Sequence, residues 1–295
     1  MRIGNFGNLL KNLSKKRNKP LPTSVMFEIT QRCNLRCKFC YLGKQINTEP
    51  DMPIEKIFSI IDQLESLGCM EVILLGGEPL IRKDFVQIYK YIKERGMLVT
   101  IWTNGTLITP RIADLFKKYP PHHLRISLYA GSPEGYEKIS GNRNAFERIK
   151  RGVNLLKKRK IPFTLRSLIT KVNFEEFKKM KDFAKRLGVN FHARTCVTST
   201  TNRDFNPKKF KITPEQRDAL LKYSEKYIPL KWEDKINKRL KTKGCKGCLH
   251  ISNDGNLLAC ILYRKWYNYD LDKMSLREAW EKRLKRKIRI RCPSL

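Results

Sequence analysis

Val25-Met26-Phe27-Glu28-Ile29-Thr30-Gln31-Arg32-Cys33-Asn34-Leu35-Arg36-Cys37-Lys38-Phe39-Cys40-Tyr41 is the stretch on which the reading of this chain turns. Val25–Thr30 predicts a strand. Directly after it Cys33, Cys37 and Cys40 fall within eight residues on a loop. Three thiolates so spaced can hold three irons of a 4Fe-4S cluster and leave the fourth iron without a protein ligand. Zinc is the alternative, but it normally wants four closed ligands, and no fourth is local.

Outward from this loop the chain alternates. Strands are expected at Val25–Thr30, Glu71–Leu75, Leu98–Trp102, Leu124–Leu128, Phe163–Ile169 and Asn190–Thr195. Helices are expected from near Pro53, over Lys83–Glu94, from Pro110, over Glu134–Lys157 and from Phe174. Strand and helix in strict alternation call for an α/β fold with a parallel sheet, and right-handed crossovers favour closure as a partial (β/α)6 TIM-like barrel. Helix-start chemistry agrees: Asp51 precedes Pro53, Thr109 precedes Pro110, and Asn173 and Ser275 each have a glutamate three residues on. After Thr195 the strand rhythm stops. Thr213-Pro214-Glu215-Gln216 opens one more helix, and a short hairpin is expected where His250–Ser252 and Asn256–Cys260 flank Asn253-Asp254-Gly255.

The cysteine loop resembles that of the radical S-adenosylmethionine (SAM) superfamily, whose CxxxCxxC pattern it matches, including the aromatic Phe39 before the last cysteine. The likeness runs over roughly residues 24–196. Gly76-Gly77-Glu78-Pro79, ending the second strand, resembles the family motif that receives the SAM amino group. Thr103-Asn104-Gly105 and Ser127 sit where the family lines its cofactor pocket, and Arg166 and Asn173 fall in regions used near the methionine carboxylate and the ribose. Ser127-Leu128-Tyr129-Ala130 replaces the commoner Ser-Leu-Asp-Gly. The resemblance implies a 4Fe-4S cluster on Cys33, Cys37 and Cys40 with SAM chelating the open iron. It also implies an enzyme that reductively cleaves SAM to a 5′-deoxyadenosyl radical, which abstracts hydrogen from an unactivated carbon. The residue types suit this: glycines let backbone approach the ligand, Glu78 offers a carboxylate to an ammonium, and Tyr41 offers a ring to adenine.

Cys245, Cys248, Cys260 and Cys292 form a second set. Cys245, nine residues, Gly255, four residues and Cys260 resemble the opening motif of the SPASM and shorter twitch domains, which hold auxiliary 4Fe-4S clusters. Four cysteines fit one cluster, so a small C-terminal cysteine-rich domain of twitch type is expected; a structural zinc is the alternative. The implied layout is a basic amphipathic extension over 1–22, a radical SAM core over 23–196, a linker with a helix over 197–244, and an auxiliary-cluster domain over 245–295. Cys196, just past the sixth strand, is a candidate hydrogen-atom donor to a substrate radical, with packing as the bland alternative. His192 and Arg194 alternate on that strand and can contact SAM or substrate, with satisfied structural polar residues as the alternative. Cys69 reads as a buried, inert thiol.

The whole chain has 295 residues, 62 Lys+Arg against 28 Asp+Glu, a formal charge of +34, 41% hydrophobic residues and nine cysteines. That apolar content excludes a disordered polycation. The N-terminus lacks a signal-peptide h-region and no stretch is apolar enough to span a bilayer, so a cytoplasmic protein is expected, whose cysteines serve metals rather than disulfides. The excess charge suits an anionic substrate, a peptide or a small polar metabolite, or is a lysine-rich, heat-adapted surface. Peptide modification by epimerisation or crosslinking is the leading expectation, with a flavodoxin- or ferredoxin-type electron donor. A nucleotide-directed enzyme resembling the GTP-rearranging molybdenum-cofactor enzyme competes with it. So does a non-catalytic RNA-binding protein with structural metal sites, although no RNA-binding motif is recognisable.

Overall fold

The structure is a computed structural model that describes residues 22–195, 197, 206–223, 248–258 and 268–285. Six strands lie in parallel in sequence order: β1 (Ser24–Thr30), β2 (Glu71–Gly76), β3 (Leu98–Thr103), β4 (His123–Ser127), β5 (Thr164–Leu168) and β6 (Phe191–Arg194). Between them run α1 (Ile54–Ser66), α2 (Phe85–Glu94), α3 (Pro110–Lys118), α4 (Pro133–Ser140), α5 (Ala145–Lys158) and α6 (Phe177–Leu187). A sheet that adds each new strand on the same side, through right-handed crossovers, places every crossover helix on one face. The burial pattern shows which: Val25, Phe27, Val72, Leu74, Val99, Ile101, Ile126 and Leu165 are fully buried against helices. The alternate residues, among them Met26, Trp102, Arg125, Ser127 and Arg166, point to the opposite, helix-free face.

The expected strands and helices form within a residue or two, with two departures. The single helix expected over Glu134–Lys157 is two, α4 and α5. Gly141 takes a left-handed conformation (φ +70°) after α4, which ends the helix through an N–H bond to Glu137. The tail hairpin is not free-standing. β7 (Cys248–Ile251) pairs in parallel with β1, from Ser24↔Cys248 to Phe27↔Ile251, and β8 (Asn256–Leu258) and β9 (Asn268–Asp270) continue antiparallel beyond it. The result is one nine-stranded, mostly parallel sheet in the order β6-β5-β4-β3-β2-β1-β7-β8-β9. A buried hydrogen bond from Gln31 Nε2 to Asn253 Oδ1 (2.7 Å) ties the β7–β8 turn to the start of the cysteine loop.

Of the expected caps, Thr109 accepts from Ile112 N, and Ser275 and Glu278 form a reciprocal capping box at α8 (Leu276–Lys285). Thr213 and Gln216 do the same at α7 (Pro214–Tyr223). Asp51 does not cap α1; it accepts from Thr30 Oγ1 and Arg32 Nη1 instead, bracing the exit of β1. The amphipathic segment around Phe6–Leu13 lies outside the described residues. No helix among the described residues is long and apolar enough to cross a membrane.

Candidate active site

The site is assembled where β1 and β2 end. β1 is irregular between Glu28 and Thr30, and Thr30 pairs with Gly76. Gly77 N donates to Thr30 O (2.9 Å) and Glu78 N to Arg32 O (2.8 Å), laying the glycine turn against the backbone that enters the cysteine loop. The approach is too close for any side chain. A Cβ at Gly76 would stand 2.0 Å from Thr30 O, and one at Gly77 2.3 Å from Arg32 O. Glycine is required here by contact, and at Gly76 also by a φ of +149°.

The cysteine loop is held from three sides. Arg36 N and Lys38 N donate to the carbonyls of Ser140 and Ile139 at the end of α4, and Asn47 Oδ1 accepts from Cys33 N (2.8 Å). Asn104 Nδ2 reaches Asn34 Oδ1 (3.0 Å) and Cys33 Sγ (3.7 Å). Cys33, Cys37 and Cys40 share one cavity of about 340 Å³ with Tyr41, Gly76, Gly77, Asn104 and Ser127. Eight of the residues singled out in the sequence thus meet at the C-terminal ends of β1–β4. Burial is the largest influence on all three thiols. It pushes Cys33 up to about 11 and also raises Cys37 and Cys40; the neighbouring thiols add to the rise at Cys33 and Cys37, and Glu28 adds to it at Cys40. Such thiols keep their protons until a cation displaces them, the environment in which an iron cluster is bound by thiolates. Among the described residues no three His, Cys, Asp or Glu side chains converge as ligands of a single ion would. A four-iron cluster spreads its ligands over separate irons, so the donor set fits the cluster better than zinc.

Glu78 is fully buried and accepts from Thr103 Oγ1 (2.6 Å), Asn104 N (2.6 Å) and Leu80 N (3.1 Å). Its task is to join the glycine turn to the Thr103–Asn104 turn. Burial lifts it to about 7 against the pull of those three donors. Pro79 is buried in the single 3-10 turn that follows. Tyr41 lines the cavity, but its hydroxyl donates to Glu28 Oε1 (2.7 Å). Asn173 is completely buried, donating to Tyr129 O and Leu168 O, and so clamps the ends of β4 and β5. Arg166 and His192 occupy the helix-free face beside the cavity without lining it. Cys248 opens β7, and Cys196, Cys245, Cys260 and Cys292 lie outside the described residues.

Sequence reasoning passed over Trp102 and Tyr129, which also line the cavity, and Arg125 beside it. The signal was present in the period of two: Trp102 pairs with Arg125, and Ser127 follows Arg125 by two residues and precedes Tyr129 by two.

Three thiols, a double-glycine turn and polar strand ends thus surround one cavity at the end of a parallel α/β sheet. Residues 27–184, more than half of the chain, match the Radical SAM superfamily, and the chain belongs to it. It is an enzyme with the α/β radical SAM fold, a family that implies a 4Fe-4S cluster and SAM. Among curated proteins it is 34% identical over 174 residues to an AdoMet-dependent heme synthase of Methanosarcina barkeri, covering 58% of this chain and 50% of the relative. It is 24% identical over 277 residues to a PqqA peptide cyclase of Ruegeria pomeroyi, covering 88% and 74%. The chain spans about half the length of the heme synthase relatives it matches. Among solved structures, Streptococcus suis SuiB bound to precursor peptide SuiA superposes with a TM-score of 0.71 at 18% identity, covering 94% of this chain and 68% of that one. AdoMet-bound anSMEcpe gives 0.66 at 17%, covering 88% and 80%.

Proposed function

We propose that this enzyme cleaves SAM reductively in the cavity shared by Cys33, Cys37 and Cys40 and uses the radical to modify a ribosomally made peptide. The single observation that carries the reading is the convergence of the three thiols with Gly76, Gly77, Asn104 and Ser127 on one wall. In this reading the thiolates hold the 4Fe-4S cluster, and SAM lies against the backbone of the glycine turn beside Tyr41, Asn104 and Ser127. The bound cofactors supply the electron transfer and the radical; the protein supplies position, and apolar walls such as Leu35, Phe39 and Trp102 keep water away. Likeness to a peptide cyclase and to a peptide-bound enzyme supports a peptide substrate.

The remaining parts belong to the same proposal: an auxiliary cluster on Cys245, Cys248, Cys260 and Cys292 in a domain over 245–295, a hydrogen-donating Cys196, and a flavodoxin- or ferredoxin-type donor in the cytoplasm. Anaerobically reconstituted protein given SAM and dithionite should form 5′-deoxyadenosine. None formed while the first three cysteines bind iron defeats the reading. About eight irons per chain supports the second cluster, and about four with one zinc overturns it. Cys196 predicts solvent deuterium in the product, lost in Cys196→Ala. One observation favours a second reading, a tetrapyrrole substrate: the heme synthase relative exceeds the peptide cyclase in identity.

A further inference from the structure

Cys33 is held by its backbone and addressed at its sulfur. Asn47 Oδ1 accepts from Cys33 N (2.8 Å), and two N–H groups point at Cys33 Sγ. The first, Leu35 N (3.4 Å), comes with the loop, being only two residues on. The second, Asn104 Nδ2 (3.7 Å), arrives from the turn after β3, 71 positions away in sequence. A ring of hydrogen bonds sets the direction of that amide. Its nitrogen also donates to Asn34 Oδ1 (3.0 Å), Asn34 Nδ2 donates to Thr106 Oγ1 (2.8 Å), and Thr106 Oγ1 donates back to Asn104 Oδ1 (2.6 Å). All three bonds run the same way round. Thr106 N donates to Asn104 Oδ1 as well (2.9 Å), which fixes the oxygen end of the amide and leaves its nitrogen facing the thiol. Asn104 and Thr106 are buried, and Asn104 N is tied to Glu78 Oε2 (2.6 Å), so the donor is held at backbone and side chain alike.

An N–H aimed at a thiolate stabilises negative charge on the sulfur. Reduction of an iron-sulfur cluster adds one electron, whose charge the ligating sulfurs share, so donors to those sulfurs raise the reduction potential. Bonds arranged head to tail in a ring also polarise one another, which strengthens the outward donor. The side chains of Asn34 and Thr106 act on the thiol by way of Asn104. We infer that Asn34 and Thr106 are positioning residues: they lock the Asn104 amide onto Cys33 Sγ and thereby raise the potential at which the bound cluster accepts its electron. One electron enters from the external donor, or from dithionite in the assay, and no bond is made or broken in that step. The inference rests on the proposed 4Fe-4S cluster at Cys33, Cys37 and Cys40.

The test is a redox titration of the anaerobically reconstituted protein without SAM, following the electron paramagnetic resonance signal of the reduced cluster in wild type, Thr106→Val and Thr106→Ser. Valine keeps the branched shape and loses the hydroxyl; serine keeps the hydroxyl. Loss of one neutral hydrogen bond shifts an equilibrium roughly two- to tenfold, and tenfold corresponds to about 59 mV for one electron. Thr106→Val should therefore titrate at a lower potential than wild type with its four irons still bound, and Thr106→Ser should stay at the wild-type value. Asn34→Ala should shift in the same direction as Thr106→Val, and the double variant little further, because both act through one amide. Thr109→Ala, which removes the α3 cap, should lower stability and leave the potential unchanged. Wild type supplies a reading that does not depend on any variant folding: labelled with 15N in the asparagine side-chain amides, it should show 15N hyperfine coupling to the reduced cluster. No coupling in wild type, a Thr106→Val potential equal to or above that of wild type, equal shifts in the serine and valine variants, or loss of iron in place of a shift would each overturn the inference. Failure of the radical SAM reading shows elsewhere, as absence of 5′-deoxyadenosine from protein whose cluster still titrates.

Discussion

Gly77→Ala probes how the strand ends hold the cysteine loop. A methyl group at this position would lie 2.3 Å from Arg32 O and 2.7 Å from Gln31 O. Carbon and oxygen settle at roughly 3.3 Å, so about 1 Å of separation must be found. The atoms that must yield are backbone, one residue ahead of Cys33, and they carry the Glu78 N to Arg32 O bond (2.8 Å). Overpacking of this kind costs about 1–3 kcal/mol, less than the roughly 5–15 kcal/mol that holds a domain together. The variant therefore folds, with its first thiol displaced. A 1 Å misplacement at reacting groups lowers turnover on the order of 10²-fold. Iron content and 5′-deoxyadenosine formation, measured anaerobically with SAM and dithionite, report the two consequences separately. Gly68→Ala is the matched control, because its φ is +78° but an added Cβ meets nothing within 4 Å. It should cost about 1–2 kcal/mol through left-handed backbone alone and leave SAM cleavage at the wild-type rate. A Gly77→Ala enzyme that cleaves SAM as fast as wild type refutes the reasoning.

Other expectations follow from the same geometry. Arg82 is buried, with Nη1 on Ile29 O (2.8 Å), Nη2 on Met52 O (3.0 Å) and a paired bond to Asp84; Arg82→Met strands two carbonyls and should lose about 3–5 kcal/mol in denaturant titration, while a loss below 1 kcal/mol contradicts the assignment. Glu78 has a folded pKa raised to about 7 from 4.5. The stability it contributes is complete below pH 4.5 and is lost as pH rises to 7, about 3 kcal/mol in all. Unfolding free energies at pH 5 and pH 8 should show this decline in wild type and not in Glu78→Gln, and equal slopes exclude it. Asn253→Leu leaves Gln31 Nε2 without its buried acceptor and should cost about 1–3 kcal/mol, with earlier hydrogen exchange in β7; unchanged exchange there means the pair does not anchor the tail.

Much of this protein is legible in one dimension because its chemistry is local. Three cysteines in eight residues, two adjacent glycines at a strand end, and apolar segments alternating with amphipathic helices are short-range patterns, and short-range sterics and burial dictate their outcome. That local determination covers the parallel α/β architecture, the cysteine loop and most of the cavity's rim. Direction and distance were decided only in three dimensions. Glu78 is a carboxylate at a strand end in the sequence, and the extended backbone at that position turns it toward Thr103 and Asn104. Trp102, Tyr129 and Arg125 became part of the site because pleating and strand register set them beside Ser127, although each stands on a different strand or at a different height from the residues whose motifs announced themselves. The tail hairpin was readable as a hairpin, but its pairing with β1 joins residues more than two hundred positions apart. Such partners are selected by exposed edge hydrogen bonds and complementary burial once the core has formed, and no local pattern encodes them.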